Sequence, residues 1–279
     1  SGAVGQRTGA FRQKRYLITF PARPQLERIL IAAKGSIDKA KSRIDKSCTA
    51  RTLLPEFFQT YDARVDIEPY DNLITFAVLP QLTKKHERVI IVRNLNYCGA
   101  ANFTEACQYF VKILEYLKVY DYSAGLIFII DYEHINLKTV LSKLNLDETR
   151  RMASIAIDCY GFRIKQVYII SKSSMIGSFV SFVKQIVPAK LAKRVQVIKH
   201  YKLLYKEIPK EMLPEEFEGP ERCIDDLHDD LLKVLSSETM VEHFKESSKA
   251  CTNEALRSSS DFNSAYIGAP GSLQRISID

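Results

Sequence analysis

Two groups of side chains in this sequence have the types that acid–base or metal chemistry uses. Asp131, Glu133 and His134 directly follow an apolar run, the place where α/β enzymes often carry their acids. His228 stands among aspartates that could bind a cation, Asp225, Asp226, Asp229 and Asp230. The sequence favours plainer roles for both groups. An aspartate at a strand end caps the next loop by accepting backbone N–H bonds, and four aspartates around a histidine indicate an exposed acidic helix turn.

The motifs of common catalytic and cofactor sites are missing from the chain. It has no glycine-rich phosphate loop and no GxSxG nucleophile elbow, and its five histidines lack metal-ligand spacing. Its six cysteines are scattered without a CxxC pair, which favours reduced core thiols over a disulfide framework. We therefore predict no catalytic residue, no metal and no cofactor, and we keep an enzyme on an α/β sheet as the third interpretation.

Hydropathy favours a water-soluble domain. The lack of a signal pattern and the predicted reduced cysteines lead us to expect it in the cytoplasm. Of the 279 residues, 46 % are hydrophobic and 26 % are charged, which is ordinary for globular proteins. The longest apolar run, residues 125–130, has the length of a strand and falls short of the roughly 20 residues of a membrane span. The first residues, Ser1-Gly2-Ala3, carry no secretory signal pattern.

Charge is concentrated in blocks. Residues 1–51 hold twelve Lys and Arg against three acids, and residues 184–210 hold eight against one, whereas residues 211–231 hold nine acids against Arg222. Basic blocks of this kind attract nucleic acid or anionic lipid headgroups, although a solvated helix face has the same composition. The charge pattern alone leaves these alternatives open.

The elements that would position these residues begin with helices. A helical stripe starts near Gln25, and a second helix is expected from Ile37 to about Thr52, before Pro55. Two short helices cannot form a stable core alone, so we expect them to pack on the rest of the chain. Residues 1–24 mix Gly, Arg and Gln and are predicted to be a mobile arm.

Strands and helices then alternate. Strands are predicted at residues 88–92, 126–130, 166–170 and 194–198. Helices are expected between and after them, starting at Thr104 and Asp147 and covering residues 179–187 and 201–208. This order predicts an α/β domain with a mostly parallel sheet. The serine-rich stretch after Thr239 is predicted to be a linker, and the alternation of Ile276 and Ile278 predicts a final extended segment that docks on the domain.

Several stretches resemble the CRAL-TRIO lipid-binding family, whose members include α-tocopherol transfer protein and cellular retinaldehyde-binding protein. Residues 203–219, LLYKEIPKEMLPEEFEG, are similar to its helix, proline-bounded turn and L-P-x-E-[FY]-G-G ending, with Glu218 in place of a glycine. Residues 125–133 resemble its G-x-x-x-I-x-D-x-E strand, and residues 158–165 resemble its D-x-Y-P-[VL]-[RK]-x-[KR] segment, with Gly161 where proline is usual. The closing G-x-x-G-S-L-x-[RK]-[IL] run looks like insect members.

The resemblance implies a small N-terminal helical domain at residues 25–65 and a CRAL-TRIO domain at residues 66–240, followed by a docking extension at 241–279. It also implies one lipophilic ligand held between the sheet floor and a mobile gate helix, which matches residues 175–187. That segment has apolar residues on more than one face, so we expect it to be buried or to face lipid when it opens. The predicted pocket residues are Phe128, Ile130, Tyr132, Ile169, Ser173, Met175, Ile176, Phe179, Val180, Val183 and Ile186.

The resemblance further implies that basic residues beside the gate bind phosphoinositide headgroups. Carried over by position, they are Arg163, Lys165, Lys190, Arg194 and Lys34. The expected partners are a retinoid, carotenoid, tocopherol or terpenoid-like molecule and, transiently, anionic membranes. We expect a monomer that does not bind nucleic acid. The main alternative is a basic nucleic-acid-binding protein, although the chain shows no RNP, KH, helix-turn-helix or zinc pattern.

Overall fold

A five-stranded sheet lies at the centre of the protein. The computed structural model describes residues 23–62, 74–94, 103–133, 135–138 and 146–256. The strands stand side by side in chain order, with β1 antiparallel to β2 and all later neighbours parallel. Their bounds are Ile74–Leu82 (β1), Glu87–Asn94 (β2), Gly125–Asp131 (β3), Ile164–Ile170 (β4) and Val195–Ile198 (β5). The predicted mostly parallel sheet is confirmed.

The first strand was not predicted from the sequence. In β1, Phe76 lies on one face of the sheet and Ala77 and Leu79 on the other, and all three are buried, so the segment lacks apolar–polar alternation. Pro80 also argues against a strand in the sequence, because proline lacks the N–H that a central strand needs. The strand tolerates Pro80 because β1 is at the edge of the sheet and its register with β2 shifts between Val78 and Leu82.

Helices connect the parallel strands. They are α3 (Phe103–Tyr120) between β2 and β3, α4 (Leu146–Ser154) with a π-helical turn (Ile155–Cys159) between β3 and β4, and α5 (Ile176–Ile186) with α6 (Ala189–Ala192) between β4 and β5. All three helical connections agree with the sequence prediction. The stripe of α3 buries Tyr109, Ile113 and Leu117 against one face of the sheet.

The opposite face of the sheet is covered by irregular helical structure. Residues 201–208, predicted to form an α-helix, form a 3₁₀ helix, Tyr201–Lys206, which buries Leu204 against the sheet. Two more 3₁₀ helices, Lys210–Met212 and Glu215–Phe217, continue this layer, and α7 (Ile224–Leu235) completes it. The layer separates this face of the sheet from solvent.

Glu218 occupies the position where the resembling family has glycine. Its φ of 56° is left-handed, the conformation that glycine adopts most readily. The carboxylate accepts a hydrogen bond of 2.8 Å from the Tyr201 hydroxyl and lies 3.0 Å from Lys202 Nζ. At the following residue, Gly219, a Cβ would collide with the backbone of Leu213. The turn therefore keeps its shape because Glu218 compensates the unfavourable backbone with local polar contacts.

The N-terminal helices pack on the α/β domain, as expected. They are α1 (Arg23–Ala32) and α2 (Ile37–Leu53), and the Ser36 hydroxyl caps α2 by accepting from Lys39 N at 3.4 Å. Ala50 of α2 packs in one apolar cluster with Leu114 of α3 and Ile155 of the π-helical turn. The proposed domain boundaries remain predictions.

A buried ionic network joins α2, α3 and the residue that follows the π-helical turn. Arg51 of α2 pairs with Glu115 of α3, and the Tyr160 hydroxyl donates to the same carboxylate at 2.7 Å. His243 Nε2 lies 3.5 Å from its other oxygen. Burial alone would raise the pKa of Glu115, but Arg51, His243 and Lys118 hold it well below its usual range. The carboxylate therefore stays charged inside the protein.

The serine-rich stretch after Thr239 is helical, so the linker prediction is wrong there. Helix α8 (Glu238–Ser248) starts at Ser237, whose hydroxyl accepts from Met240 N at 3.4 Å, and it buries Phe244 against the core. Beyond it, Thr252 N donates to the Thr52 hydroxyl at 2.8 Å, which ties this part of the C-terminal extension to α2. Residues 257–279, with the predicted docking of Ile276 and Ile278, lie outside the described residues.

Two further features bear on the sequence analysis. Within the described ranges, no helix is long and apolar enough to cross a membrane. The described cysteines form no disulfide with one another, and Cys98 lies outside the described residues. Burial raises the pKa of the Cys48 thiol to about 11, so it stays protonated at neutral pH.

Candidate functional site

Helix α5 is amphipathic, and most of its apolar residues lie on the side that faces the sheet. Phe179 and Val180 are buried, Ile176 and Val183 on the same side are partly buried, and Phe182 is partly buried on the flank of the helix, outside this stripe. The opposite side is exposed and consists of Gly177, Ser178, Ser181, Lys184 and Gln185. In this conformation the helix turns its apolar side toward the sheet and its polar side toward water.

The floor under α5 is made by strands β3, β4 and β5. Phe179 and Val180 form one apolar cluster with Ile169 of β4 and Leu137. The ring of Tyr132 meets Phe179 edge-on at 5.3 Å between centroids. Partly buried apolar side chains surround this centre, namely Ile130, Ile135, Val167, Ile176, Val183, Val195 and Val197. The structure thus brings seven of the eleven predicted pocket residues into one cluster.

The other four predicted pocket residues lie around this cluster. Phe128 belongs to the neighbouring cluster beneath α3, which shares Ile130 with the first. Ser173 is in the loop before α5, where its hydroxyl accepts a hydrogen bond from Met175 N at 3.3 Å. Met175 is exposed, and the side chain of Ile186 lies outside the described set. Three further residues of this cluster, Val167, Val195 and Val197, were not predicted as pocket residues. Side chains alternate between the two faces of a strand, so this alternation along β4 and β5 could have identified them.

A cavity of about 340 Å³ lies elsewhere, between the N-terminal helices and the sheet. We call it the cationic cavity. Helices α1 and α2, the end of α3 and the loop before β4 each contribute to its wall. Its described lining residues are Arg28, Ile29, Ile31, Ala32, Arg43, Leu117, Lys118, Asp121, Tyr122, Ser123, Ala124, Gly125, Tyr160, Gly161, Phe162 and Arg163.

Positive charge dominates this cavity. Four lining residues are basic, and Asp121 is the single acid among the described lining residues. That acid is engaged by Arg88, whose Nη2 lies 2.9 Å from Asp121 Oδ1. Burial and the nearby charge of Arg163 lower the pKa of Arg43, and burial and Arg51 lower the pKa of Lys118 against the opposing pull of Glu115. The cavity therefore has an excess of positive charge.

Two guanidinium groups of the cavity carry buried N–H donors without a partner. Arg28 Nε and Arg43 Nη1 are out of contact with solvent and find no hydrogen-bond acceptor within the described part of the chain. A buried donor without an acceptor costs free energy comparable to a lost hydrogen bond. An anion with several oxygens, such as a phosphate group, would supply acceptors and compensate the charge at the same time.

Three of the five basic residues carried over from the family resemblance, Arg163, Lys165 and Arg194, lie where strands β4 and β5 begin. Arg163 lines the cavity and donates to Ala32 O at 2.7 Å, and exposed Lys34 follows close by, after the end of α1. Arg194 donates to Ile164 O, next to Arg163 in the chain. Lys165 Nζ is 3.7 Å from Glu87 Oε1.

The last of the five basic residues carried over from the family resemblance, Lys190, is exposed on the short helix α6. The structure adds Arg28, Arg43 and Lys118, which the sequence analysis missed. For Arg28 and Arg43 the only signal in the sequence was the excess of basic residues in residues 1–51, which does not distinguish cavity-lining residues from solvated ones. Lys118 lies outside that block.

Asp131 and His228, from the two groups considered for acid–base or metal chemistry, make structural contacts, and His134 lies outside the described residues. Asp131 Oδ1 accepts from Glu133 N at 2.9 Å, the capping role that was predicted. His228 is 3 % exposed, so the predicted exposed turn is wrong at this residue. Its Nδ1 lies 3.3 Å from the Tyr109 hydroxyl and 3.3 Å from Phe76 N. Within the part of the chain that is described, no three potential ligands gather in a metal-binding arrangement.

Comparison with known proteins agrees with this architecture. The crystal structure of Sfh5 matches with a TM-score of 0.51 at 11% sequence identity, over 88% of this chain and 91% of that chain. At such an identity the match shows the fold alone. No curated protein matches this sequence. The model of the CRAL/TRIO domain matches residues 75–219, just over half of the chain. The chain therefore belongs to the CRAL/TRIO domain family.

Proposed function

We propose that this protein carries one lipophilic small molecule between the sheet floor and α5 and exchanges it at membranes without converting it. The observation that carries the proposal is the amphipathic α5, whose apolar side covers a floor of partly buried Ile and Val side chains. Membership of the CRAL/TRIO family supports lipophilic binding in general. A ligand would take over the contacts that α5 now makes with the floor.

The short connections at both ends of α5 suit a helix that moves as a unit. No side chain caps its first turn, and its last turn is followed by Val187 in extended conformation and then by Pro188. Outward displacement of α5 would expose Phe179 and Val180, which a membrane interface solvates better than water does. Loading and release are therefore coupled to membrane contact in this proposal.

Ligand size fits the affinity that a carrier needs. A retinoid, carotenoid, tocopherol or terpenoid-like molecule that buries about 300 Å² of apolar surface gains about 7–8 kcal/mol before association costs, at about 25 cal/mol per Å². Association costs reduce this figure, but sub-micromolar binding needs no covalent step.

The cationic cavity would hold the phosphorylated headgroup of an anionic lipid, such as a phosphoinositide, during a transient stay at the membrane. Its support is the excess of positive charge and the buried donors of Arg28 and Arg43. Lys34, Lys190 and Arg194 would add long-range attraction to an anionic membrane. We propose a cytoplasmic, monomeric carrier that binds membranes only while it exchanges ligand.

The proposed pocket can be tested by a substitution that adds a larger side chain to its floor. Val167→Phe adds volume at the floor, whereas Val234→Phe makes the same change on the exposed side of α7. We expect Val167→Phe to weaken binding of fluorescent retinoid or carotenoid probes by at least about tenfold, since even about 1.4 kcal/mol of lost contact gives that factor. Val234→Phe should bind normally. Equal binding by both variants, with both folded by circular dichroism, would contradict a pocket at this floor.

The alternative of nucleic-acid binding is tested by competition. The cationic cavity is bounded by four separate segments, which suits a small phosphorylated group better than an extended backbone. Heparin and oligonucleotides should therefore compete poorly with anionic vesicles. Strong oligonucleotide binding that Arg43→Gln abolishes would favour the alternative.

A further inference from the structure

The mouth of the cationic cavity carries two apolar side chains that are turned toward solvent. Ile31 of α1 is 57 % exposed and Tyr122, just after α3, is 63 % exposed. Both line the cavity, so they border the same opening, and we call them the rim. The guanidinium of Arg28 lies over the Tyr122 ring, 5.1 Å from its centroid. Exposed apolar groups thus stand directly beside a buried excess of positive charge.

The other large apolar side chains that are exposed on the described surface do not line the cationic cavity, namely Tyr120, Met175, Leu203, Val234 and Leu256. Leu203 is 45 % exposed, but it belongs to the 3₁₀ layer on the opposite face of the sheet. Helix α5 presents serine, lysine and glutamine to solvent and keeps Phe179 and Val180 inside. In this conformation the rim, and not α5, offers apolar contact next to unsatisfied cationic donors.

We propose that the rim is the surface by which this protein first contacts an anionic membrane, with Ile31 and Tyr122 entering the interface while a lipid phosphate occupies the cationic cavity. The inference rests on the proposed function for the headgroup, and it adds a docking surface that is separate from α5. Charge complementarity favours an anionic membrane as the partner, because the cavity holds four basic residues against Asp121 and the buried donors Arg28 Nε and Arg43 Nη1 find no acceptor in the described part of the chain.

The two rim residues suit the depth at which a headgroup phosphate sits. Tyrosine is enriched at membrane interfaces because its ring is apolar and its hydroxyl stays hydrated. Ile31 would reach the start of the acyl region, where a buried aliphatic side chain gains free energy. One phosphate in the cavity and two side chains at its mouth would fix the orientation of the protein on the membrane.

The absence of tryptophan from this chain allows a direct test. Ile31→Trp places a single fluorophore in the rim, and Leu203→Trp places one at an exposed leucine on the opposite face. The probe is phosphatidylcholine vesicles with and without a bisphosphorylated phosphatidylinositol. We expect a blue shift and quenching by brominated lipid for Ile31→Trp on the phosphoinositide vesicles only, and neither for Leu203→Trp. Vesicle-bound Ile31→Trp with unshifted, unquenched emission would overturn the proposal.

A loss-of-contact variant gives an independent measurement. The double substitution Ile31→Ser and Tyr122→Ser should weaken vesicle binding at least about tenfold. Stabilisation by soluble inositol polyphosphate should fall much less than vesicle binding, because the cavity cations remain although the ring beside Arg28 is lost. Leu203→Ser serves as the control. Normal vesicle binding by the double variant, or an equal loss in the control, would contradict the rim.

These measurements separate the rim from the carrier function. They need no lipophilic ligand, so the fluorescence result stands whether or not a retinoid or tocopherol binds under α5. If soluble inositol polyphosphate fails to stabilise the wild-type protein, the headgroup part of the proposed function fails. If it stabilises the protein but the rim variants bind vesicles normally, only the docking surface is wrong.

Discussion

The floor beneath α5 and the cationic cavity have opposite arrangements of polarity. Under α5, apolar side chains face inward and serine, lysine and glutamine face water. In the cationic cavity, four basic groups face inward and Ile31 and Tyr122 face water. The arrangement under α5 is stable without a ligand, because its apolar side chains are packed against the sheet and its polar side chains are hydrated. The arrangement in the cationic cavity is not, because the buried donors Arg28 Nε and Arg43 Nη1 have no acceptor among the described residues until an anion arrives.

This difference suggests a division of labour between the two regions. In our proposal the floor beneath α5, which is stable without an anion, holds the lipophilic ligand. The cationic cavity, which lacks an anion, binds the phosphate group of a membrane lipid. The four predictions that follow test the contrast from the largest expected effect to the smallest.

The acid beneath the cationic cavity should contribute most to stability. Glu115→Gln leaves Arg51 and Lys118 without their buried counter-charge, so we expect a loss of about 3–5 kcal/mol in the free energy of unfolding at neutral pH. The pKa of Glu115 is lower in the folded protein than in the unfolded chain. Its stabilising contribution is therefore present above the unfolded value of about 4.3 and is lost as the pH falls.

Urea unfolding across the acid range checks this prediction. The variant should lose stability less steeply than the wild type as the pH falls from about 5. Parallel pH profiles for the two proteins would mean that Glu115 is not held ionised by the network.

The two regions should also differ in the cost of losing a buried phenylalanine. Phe57→Ala removes a side chain from the cluster that joins α2, α3 and the π-helical turn, and we expect it to cost about 3–5 kcal/mol. Phe179→Ala removes an equally large ring from α5, where the floor around it is only partly buried. We expect it to cost less than about 2 kcal/mol. Equilibrium unfolding of both variants measures the difference, and equal costs would contradict a movable α5.

Removing one cavity cation should have opposite effects with and without an anion. Arg43→Gln relieves repulsion with Arg163, so the unliganded protein should melt about 1–3 °C higher. The same change should abolish most of the stabilisation that inositol polyphosphate gives to the wild type. Lys39→Gln, an exposed lysine on the same helix, is the matched control and should leave both melting temperatures nearly unchanged.

The smallest effect is expected outside both regions. Glu218→Gly restores the family residue at a left-handed position but removes the contacts to Tyr201 and Lys202. The easier backbone and the lost contacts oppose each other, so the melting temperature should move by no more than about 2 °C. A larger fall, measured by thermal unfolding, would show that the polar contacts and not the turn hold this corner.

The fold was largely predictable because its parallel strands are buried on both faces and give continuous apolar runs, as in residues 126–130. The edge strand β1 was hidden by Pro80, and α8 by serines that act as caps, such as Ser237. His228 misled because its aspartate neighbours are solvated while its own ring points into the core. In each case the residue type is common at the protein surface or in loops. Only tertiary packing placed the residue in a strand, a helix or the core.

The floor was predictable where strand alternation and the family resemblance coincide, as at Ile130 and Ile169. The cationic cavity was not, because Arg28 and Arg43 come from two helices whose mutual packing no local pattern encodes. Lys118 stands in the last turn of α3, where a lysine is ordinary for a helix C-terminus. A basic residue reveals its role only when several elements bring it next to others.

Gly161 has an evolutionary consequence. Its φ of 66° excludes proline, whose ring fixes φ near −65°, and a Cβ at this position would strike the guanidinium of Arg43. A descendant that replaced Gly161 would have to shorten or redirect Arg43 in the same lineage. Positions 43 and 161 should therefore covary among its orthologues, so that divergence at one predicts divergence at the other.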